Sequence, residues 1–324
     1  MLDRPVDFDD HQIKDALADW GIHAEVLTHV PLGFGDHHWS ATDTSGRRWF
    51  LTLVDLEHKP FLGGDPDTAL RNLRRAMDTA AELHDAHGLG FVVAPLRATG
   101  GTTALRIGDR YALSVFPHTE GSPGDFGQEL TPDQRAQVLD TLARLHGRTP
   151  PAEIRPTPPS LAGADRLAEL TVDPGRIGDH GPFAEPTAEL LAEHGGALRA
   201  RLDEFGRRAD EADASRAVPT HGEPHPGNLL WRESGPLFVD WDTVGLAVPE
   251  RDLWLVTDDP DELARYAEAT GHRPDPALLS LYGLRWDLQD VVEFVDWFAA
   301  PHQRGTDTEQ AWRDLGVILR RLER

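Results

Sequence analysis

The residues best equipped for chemistry lie together in 219–252, PTHGEPHPGNLLWRESGPLFVDWDTVGLAVPERD. Two short apolar runs, Leu229–Trp231 and Leu237–Val239, flank a turn at Arg232–Pro236 and read as a hairpin. If Trp231 faces Leu237, then Asn228 faces Asp240 at the open end. An amide oxygen, a carboxylate and a second carboxylate at Asp242 would form an oxygen-donor site suited to Mg²⁺. The plainer alternative is that Asn228 and Asp240 only cap turns. Just upstream, His221-Gly222-Glu223-Pro224-His225 has two histidines at i, i+4 with a glutamate between them. A zinc protease needs such a pair on a helix, and Gly222, Pro224 and Pro226 oppose a helix. A zinc deaminase also needs cysteines, and the chain has none. A carboxylate in a loop just before a metal-binding hairpin fits phosphoryl transfer better. There an acid takes or orients the proton of the attacking hydroxyl, and Mg²⁺ neutralises phosphate charge.

HGEPHPGN followed by FVDWD resembles the signature pair of the aminoglycoside phosphotransferase family, which includes related antibiotic and small-metabolite kinases. PERDLW, GPFAEP and LYGLRWDLQD resemble a bacterial branch of it. The resemblance is strong at 219–254, weaker in the first 60 residues, and covers most of the chain. It implies an α+β, protein-kinase-like two-lobed fold, with a β-rich N-lobe over 1–117 and a mostly helical C-lobe over 118–324. It implies ATP (or GTP) and Mg²⁺ as cofactors. The catalytic residues would be His221, Glu223, Asn228 and Asp240, and the metal ligands Asn228, Asp240 and Asp242. The loop with Gly33 and Gly35 falls where a glycine-rich phosphate cover would be, without its third glycine. Backbone from Val115 to Pro117 would meet adenine, with Ser114 just before it.

Three departures from the family pattern stand out. The lysine that grips the α- and β-phosphates should lie in FLTL, where the residue is Thr52. Its glutamate partner should come from the helix over 67–86, whose early half offers Arg71, Arg74 and Arg75 instead. The two losses are consistent, because a glutamate without that lysine would be an unpaired charge. Lys59, Arg71 or Arg74 is expected to supply the missing positive charge. The catalytic acid is Glu223 where the family has Asp; the extra methylene moves the carboxylate by on the order of 1 Å, enough to cost about a hundredfold if uncompensated.

These residues need elements to hold them. A helix is expected over 7–20, strands with a Ser45-Gly46 hairpin over 25–56, and a helix over 67–86 with Leu70, Leu73, Met77, Ala80, Ala81 and His84 on one face. FVVAPL (91–96) and RYALSVF (110–116) read as strands. Thr131-Pro132-Asp133-Gln134 opens a helix as a capping box, running to about His146. Five prolines over 149–159 mark a linker, 160–217 reads as mostly helical, and 260–323 as helices. A β-rich first third followed by helices argues α+β.

Composition bounds the partners. The 324 residues carry 32 basic and 55 acidic side chains, a net charge of −23. Wrapping a nucleic-acid backbone draws on Lys and Arg, so no nucleic-acid partner is expected. The absence of cysteine excludes disulfides, thiolate nucleophiles and Fe–S clusters. The polar N-terminal stretch and the lack of an 18-residue apolar run point to a cytoplasmic protein with no membrane contact. Only Lys14 and Lys59 are lysines, so any lysine chemistry has two candidates. The sequence commits to no oligomeric state.

The helix near 280–298 carries Asp287, Asp290, Glu293 and Asp296 beside an apolar stripe. Asp287 and Asp290, with Trp286 as a ring-stacking candidate, are expected to bind a small, polar, cationic acceptor such as an aminoglycoside-like antibiotic; a solvated acidic face is the alternative, favoured for Glu293. The leading expectation is a kinase acting on a small-molecule hydroxyl. A catalytically weak nucleotide- or metabolite-binding module, suggested by Thr52 and Glu223, is the rival.

Overall fold

The structure, a computed structural model, describes residues 1–5, 8–213 and 215–324. Asp7, the first residue of the helix expected over 7–20, and Ala214, in the helical stretch expected over 160–217, lie outside the described residues. In chain order the elements are α1 (Asp10–Leu17), β1 (Ala24–Val30), β2 (His37–Asp43), β3 (Arg48–Asp55), α2 (Pro66–Asp85), β4 (Leu105–Ile107), β5 (Tyr111–Pro117), β6 (Ser122–Pro123), α3 (Pro132–His146), α4 (Ala164–Val172), α5 (Ala184–Asp210), β7 (Val218–Thr220), β8 (Leu229–Arg232), β9 (Gly235–Phe238), β10 (Gly245–Ala247), α6 (Glu250–Leu253), α7 (Pro260–Thr270), α8 (Pro276–Phe298) and α9 (Thr306–Leu322). They form an α+β chain with a β-sheet lobe and a helical lobe. Two compact units result: one joins Asp3–Pro158 to the stretch ending at Leu279, the other joins Pro159–Asp213 to Ser280–Arg324.

In the first unit, five strands form an antiparallel sheet in the order β1-β2-β3-β5-β4. Strand alternation sorts its side chains onto two faces. Trp39, Ala41, Leu51, Leu53, Leu113 and Val115 pack with Ile13 and Leu17 of α1. The opposite face carries Phe50, Val54, Ala112 and Phe116 into a second core shared with α2. Between them sits a polar patch, because Thr52 pairs in register with both His38 and Ser114. The β2–β3 turn forms at the expected place: Asp43 accepts hydrogen bonds from Ser45 and Arg47, and Gly46 takes φ 82°.

Helix α2 starts at an Asp65 cap that accepts from the Thr68 N–H, with Pro66 in its first turn. Leu70, Leu73, Met77, Ala80 and Ala81 are buried as expected; His84 is exposed, and Leu83 takes its place in the core. Helix α3 has the expected capping box between Thr131 and Gln134.

Two expectations need correction. FVVAPL is not a strand: Val92 makes one isolated bridge to Phe238, Val93 N–H donates to the Phe238 carbonyl, and Leu96 N–H to that of Val115. The segment thus bonds first to the β8–β9 hairpin and then to the sheet, and Pro95, with no N–H, cannot sustain a ladder. The β8–β9 hairpin is also one residue out of the expected register. Leu230 faces Leu237 and Trp231 faces Pro236, because the chain reverses at Glu233-Ser234, with Gly235 at φ 111°. A slip of one residue reassigns every cross-strand neighbour. Asn228 therefore lies opposite Val239, whose N–H donates to the Asn228 carbonyl at 3.0 Å, and does not pair with Asp240.

The second unit is helical. Phe183 is buried against Phe298 and Trp312 and packs the interior of this unit. No helix among the described residues is long and apolar enough to cross a membrane.

At the end of β3, Asp55 accepts from His58 at 2.9 Å and from Arg110 Nε at 2.9 and 3.0 Å. Burial pushes its carboxyl up, but these donors prevail and hold it at about 2. A depressed carboxyl contributes stability that is present above its unfolded pKa and lost as pH falls through the folded value. Asp55→Asn should therefore cost on the order of 1–2 kcal/mol at neutral pH. The gap to the parent protein should close as pH falls from about 4 to 2, as read by urea melts.

Candidate active site

The loop after β7 is built on backbone hydrogen bonds to one carboxylate. Asp252, on α6 and fully buried, accepts from the N–H of His221 at 2.8 Å and of Gly222 at 2.6 Å. Its Oδ2 also meets His146 Nε2 at 3.0 Å, and His146 Nδ1 meets the Tyr266 hydroxyl at 2.6 Å. Burial alone would raise Asp252, but His146 and Arg251 hold it below the ordinary carboxylate range. Gly222 takes φ 105°, and a Cβ there would stand 2.4 Å from the Arg251 guanidinium. That guanidinium in turn donates to Thr220 Oγ1 and to the Thr243 carbonyl, both at 2.8 Å.

His221 has both ring nitrogens engaged. Its Nε2 bonds the Val239 carbonyl at 2.8 Å, and its Nδ1 accepts the Glu223 N–H at 3.2 Å. A carbonyl on one side and an N–H on the other select the neutral Nε2–H tautomer. Burial lowers its pKa in the same direction. So His221 shapes the loop that presents Glu223, which is half-buried. Asn228 closes the loop by donating Nδ2–H to the Glu223 carbonyl at 3.0 Å, keeping its amide oxygen as an acceptor.

Beyond the hairpin, Trp241 is fully buried, with its Nε1–H on the Phe238 carbonyl and its ring edge-on to His221 at 4.5 Å. Seating this ring leaves Asp240 at φ 62°, the one non-glycine among the described residues in the left-handed region. Such a conformation costs on the order of 1–3 kcal/mol and persists where surroundings over-determine it. Asp240 and Asp242 then emerge on either side of the Trp241 anchor.

A third carboxylate joins them. One carboxylate oxygen each from Asp36, Asp240 and Asp242 all lie within 4.8 Å of one another. Asp36 follows Gly35 directly. Lys59 Nζ sits 3.1 Å from both Asp36 Oδ2 and Asp242 Oδ2. Of the three expected cations, Lys59 is the one at the site: Arg71 bonds Thr68, and Arg74 bonds the Ala104 carbonyl. Burial works against the Lys59 charge, but Asp242, Asp36 and Asp240 raise its pKa well above the ordinary value. Burial lifts Asp36 to about 6 despite Lys59, with Asp242 adding to the rise. Desolvation and the Asp242 and Asp36 charges push Asp240 well up too, although its side chain remains open to solvent. One lysine against three acids leaves a net negative site of hard oxygen donors, which suits a divalent cation such as Mg²⁺ or Ca²⁺.

The sheet side supplies the rest of the expected nucleotide site. Gly33 and Gly35 take φ 71° and 98°, conformations that favour glycine. Thr52 Oγ1 meets His38 Nδ1 at 3.3 Å, and Ser114 is buried with its hydroxyl lacking a hydrogen-bond partner. Burial lowers His38 to about 3, so the patch is neutral. Val115 turns its side chain into the α1 core and its carbonyl accepts from Leu96; Pro117, exposed, ends β5. Asp36 and Asp252 lie beyond the motif reading. Their sequence signals are an acid directly after G-x-G, and an acid inside PERDLW.

In the second unit the acids of α8 are engaged locally. Asp287 is held bidentately by Arg321, Asp296 meets Arg166 at 3.0 Å, and Glu293 accepts from Gln289 at 3.2 Å. Asp290 and Trp286 are half-buried on the same helix.

The fold is protein-kinase-like, and the protein is a phosphotransferase. The chain belongs to the phosphotransferase enzyme family, whose model matches residues 26–287. It is 29% identical over 244 residues to Protein StrN of Streptomyces griseus, covering 72% of each chain. It is 32% identical over 170 residues to Stress response kinase A of Salmonella typhi, a match spanning 51% of this chain and 46% of that one. Among solved structures, spectinomycin phosphotransferase in complex with ADP and spectinomycin aligns with a TM-score of 0.71 at 17% identity, over 98% of both chains. The choline kinase LicA from Streptococcus pneumoniae aligns at 0.60 and 12% identity, over 96% of this chain and 99% of that one. At these identities the likeness is one of fold.

Removing the Asp252 carboxylate should unfasten the loop. Asp252→Ala strands two buried N–H groups and His146, and should cost about 3–5 kcal/mol in a denaturant melt. Gly222→Ala should be destabilising as well, through its positive φ and the Arg251 clash. Stability within about 0.5 kcal/mol of the parent for both variants would refute this account of the loop.

Proposed function

We propose that the enzyme transfers the γ-phosphoryl group of ATP or GTP to a hydroxyl of a small molecule, with Mg²⁺ at the carboxylate site. The observation that carries this reading is Lys59 held between Asp36 and Asp242 in the same unit as the Glu223 loop. Lys59 takes the phosphate-gripping role that Thr52 cannot. With a lysine available, the threonine at 52 no longer argues for a catalytically weak binding module.

In this reading the Gly33–Gly35 backbone covers the phosphates, and Thr52, Ser114 and the Val115–Pro117 strand end line the nucleoside side. Asn228, Asp240 and Asp242 would hold Mg²⁺, which when bound offsets phosphate charge. The acceptor oxygen attacks the γ-phosphorus, the bond to the β–γ bridging oxygen breaks, and the nucleoside diphosphate leaves. Glu223 takes the hydroxyl proton. His221 sets the height of Glu223 through its N–H, and Pro224 fixes the backbone just after it.

The acceptor class rests on the family. Asp287, bonded to Arg321, and Asp296, bonded to Arg166, already have cationic partners. The α8 acids therefore give little support to a cationic acceptor, and the proposal commits to a hydroxylated small molecule.

An assay of ADP release across hydroxylated antibiotics and amino alcohols, with mass spectrometry of the product, tests the activity. On a verified acceptor, Glu223→Gln should lower kcat by about 10²–10⁴-fold with nucleotide affinity nearly unchanged. Lys59→Met should instead raise the nucleotide KM as well as lower kcat. Full activity of Glu223→Gln would exclude its role as base.

A further inference from the structure

We propose that Asp36 is a third carboxylate ligand of the divalent cation, supplied by the glycine-rich loop itself. The proposal deepens the phosphotransferase reading and rests on its cation site. Three observations carry it. The first is proximity: oxygens of Asp36, Asp240 and Asp242 lie within 4.8 Å of one another. Two Ca–O bonds end to end span about 4.6–5.2 Å, and two Mg–O bonds about 4.0–4.2 Å. Two oxygens on one ion can stand no further apart than that, so the three are near enough to be gathered by a Ca²⁺-sized ion and must draw closer together to share Mg²⁺.

The second is an unsatisfied atom. Asp36 is 4% exposed, and its Oδ1 is buried without a hydrogen-bond partner. Its Oδ2 is the oxygen that meets Lys59. A serious cost attaches to leaving a buried carboxylate oxygen unpaired, and a cation among the three acids would remove it. The third is charge. Lys59 neutralises one acid of three, so the site retains an excess that a divalent cation cancels.

Glycine makes this approach of the loop possible. Gly35 has φ 98°, and a Cβ on it would point to within 3.5 Å of Lys59 Nζ. The loop thus turns sharply over the lysine, and the next residue delivers its carboxylate beside it. Cation binding and seating of the phosphate cover then become one event, because a ligand of the ion is part of the cover.

Mn²⁺ titrated against the full chain without nucleotide, followed by water-proton relaxation, tests this directly. Asp36→Asn, nearly isosteric, should weaken Mn²⁺ binding about tenfold or more, and Asp36→Ser should do the same. Metal-free melts of both variants check that the fold is intact. Mn²⁺ should slow amide exchange at residues 33–37 in the parent protein and leave it unchanged in Asp36→Asn. Asp240→Asn is the reference. If it loses Mn²⁺ while Asp36→Asn binds as the parent does, Asp36 is only a counter-ion of Lys59 and the proposal fails, with the cation site standing. If neither substitution alters binding, the proposal fails together with the cation site.

Discussion

The site is organised by one buried ammonium group facing three carboxylates. Lys59 is 9% exposed, and its Nζ stands 3.1 Å from one oxygen each of Asp36 and Asp242. A lone buried lysine would lose its proton, and a lone buried acid would keep one. The acids hold Lys59 charged, although burial still lifts Asp36 and Asp240 above the ordinary carboxylate range, and so the glycine-rich loop, the post-β3 segment and the β8–β9 hairpin meet here. The segment carrying Lys59 is placed by the ion pair of Asp55 with Arg110 just before it. The hairpin acids are placed by Trp241 between them. The loop acid is placed by the turn at Gly35. Three separate parts of the chain converge on a point that would be electrostatically untenable if any one of them were absent.

The loop after β7 is held by a different device. Asp252 caps it from below with hydrogen bonds to consecutive N–H groups, as a side-chain carboxylate caps a helix start. Its own charge is supported by His146 and Arg251 in a setting with no water to help. The relay Tyr266–His146–Asp252 ties the C-terminal end of α3 and the middle of α7 to the loop backbone. The loop backbone is thus fastened through side chains of helices outside it. His221, which motif reasoning takes as catalytic, belongs to this framework: each ring nitrogen already has a backbone partner.

What the sequence made legible follows from locality. The β2–β3 turn, the capping box at Thr131 and the apolar stripe of α2 are decided by residues a few positions apart, and they form as read. The hairpin motif was readable too, but its register was not. Apolar runs say that two strands pair, whereas the turn chosen at Glu233-Ser234 says which residues face each other. FVVAPL has strand composition, yet its partners are the end of one hairpin and the end of β5, so no ladder forms. Asp36 and Asp252 were silent for the same reason. Each acts on residues far away in the chain, and a single aspartate carries no periodic signal. The α8 acids mislead in the opposite sense, since spacing along one helix cannot reveal that Arg321 and Arg166 come from other helices to meet two of them.

Placing the buried lysine after β3, with Thr52 on the strand itself, has a consequence for the sheet. A lysine on β3 would need a glutamate from α2 to hold it, and the two would place a charged pair beside the nucleoside. Here that position is the neutral trio Thr52, His38 and Ser114, with His38 kept uncharged by burial. Helix α2 is then free to carry arginines that bond backbone carbonyls, as Arg74 and Arg75 do, and the helix needs no acid facing the site. The partner acid comes instead from the glycine-rich loop, as Asp36. In a protein-kinase-like arrangement the ion pair reports the position of a helix; in this chain it reports the position of the Gly33–Gly35 loop. Substituting a loop acid for a helix acid transfers control of the charged centre from packing of α2, which is fixed by its core stripe, to closure of a short glycine-hinged turn.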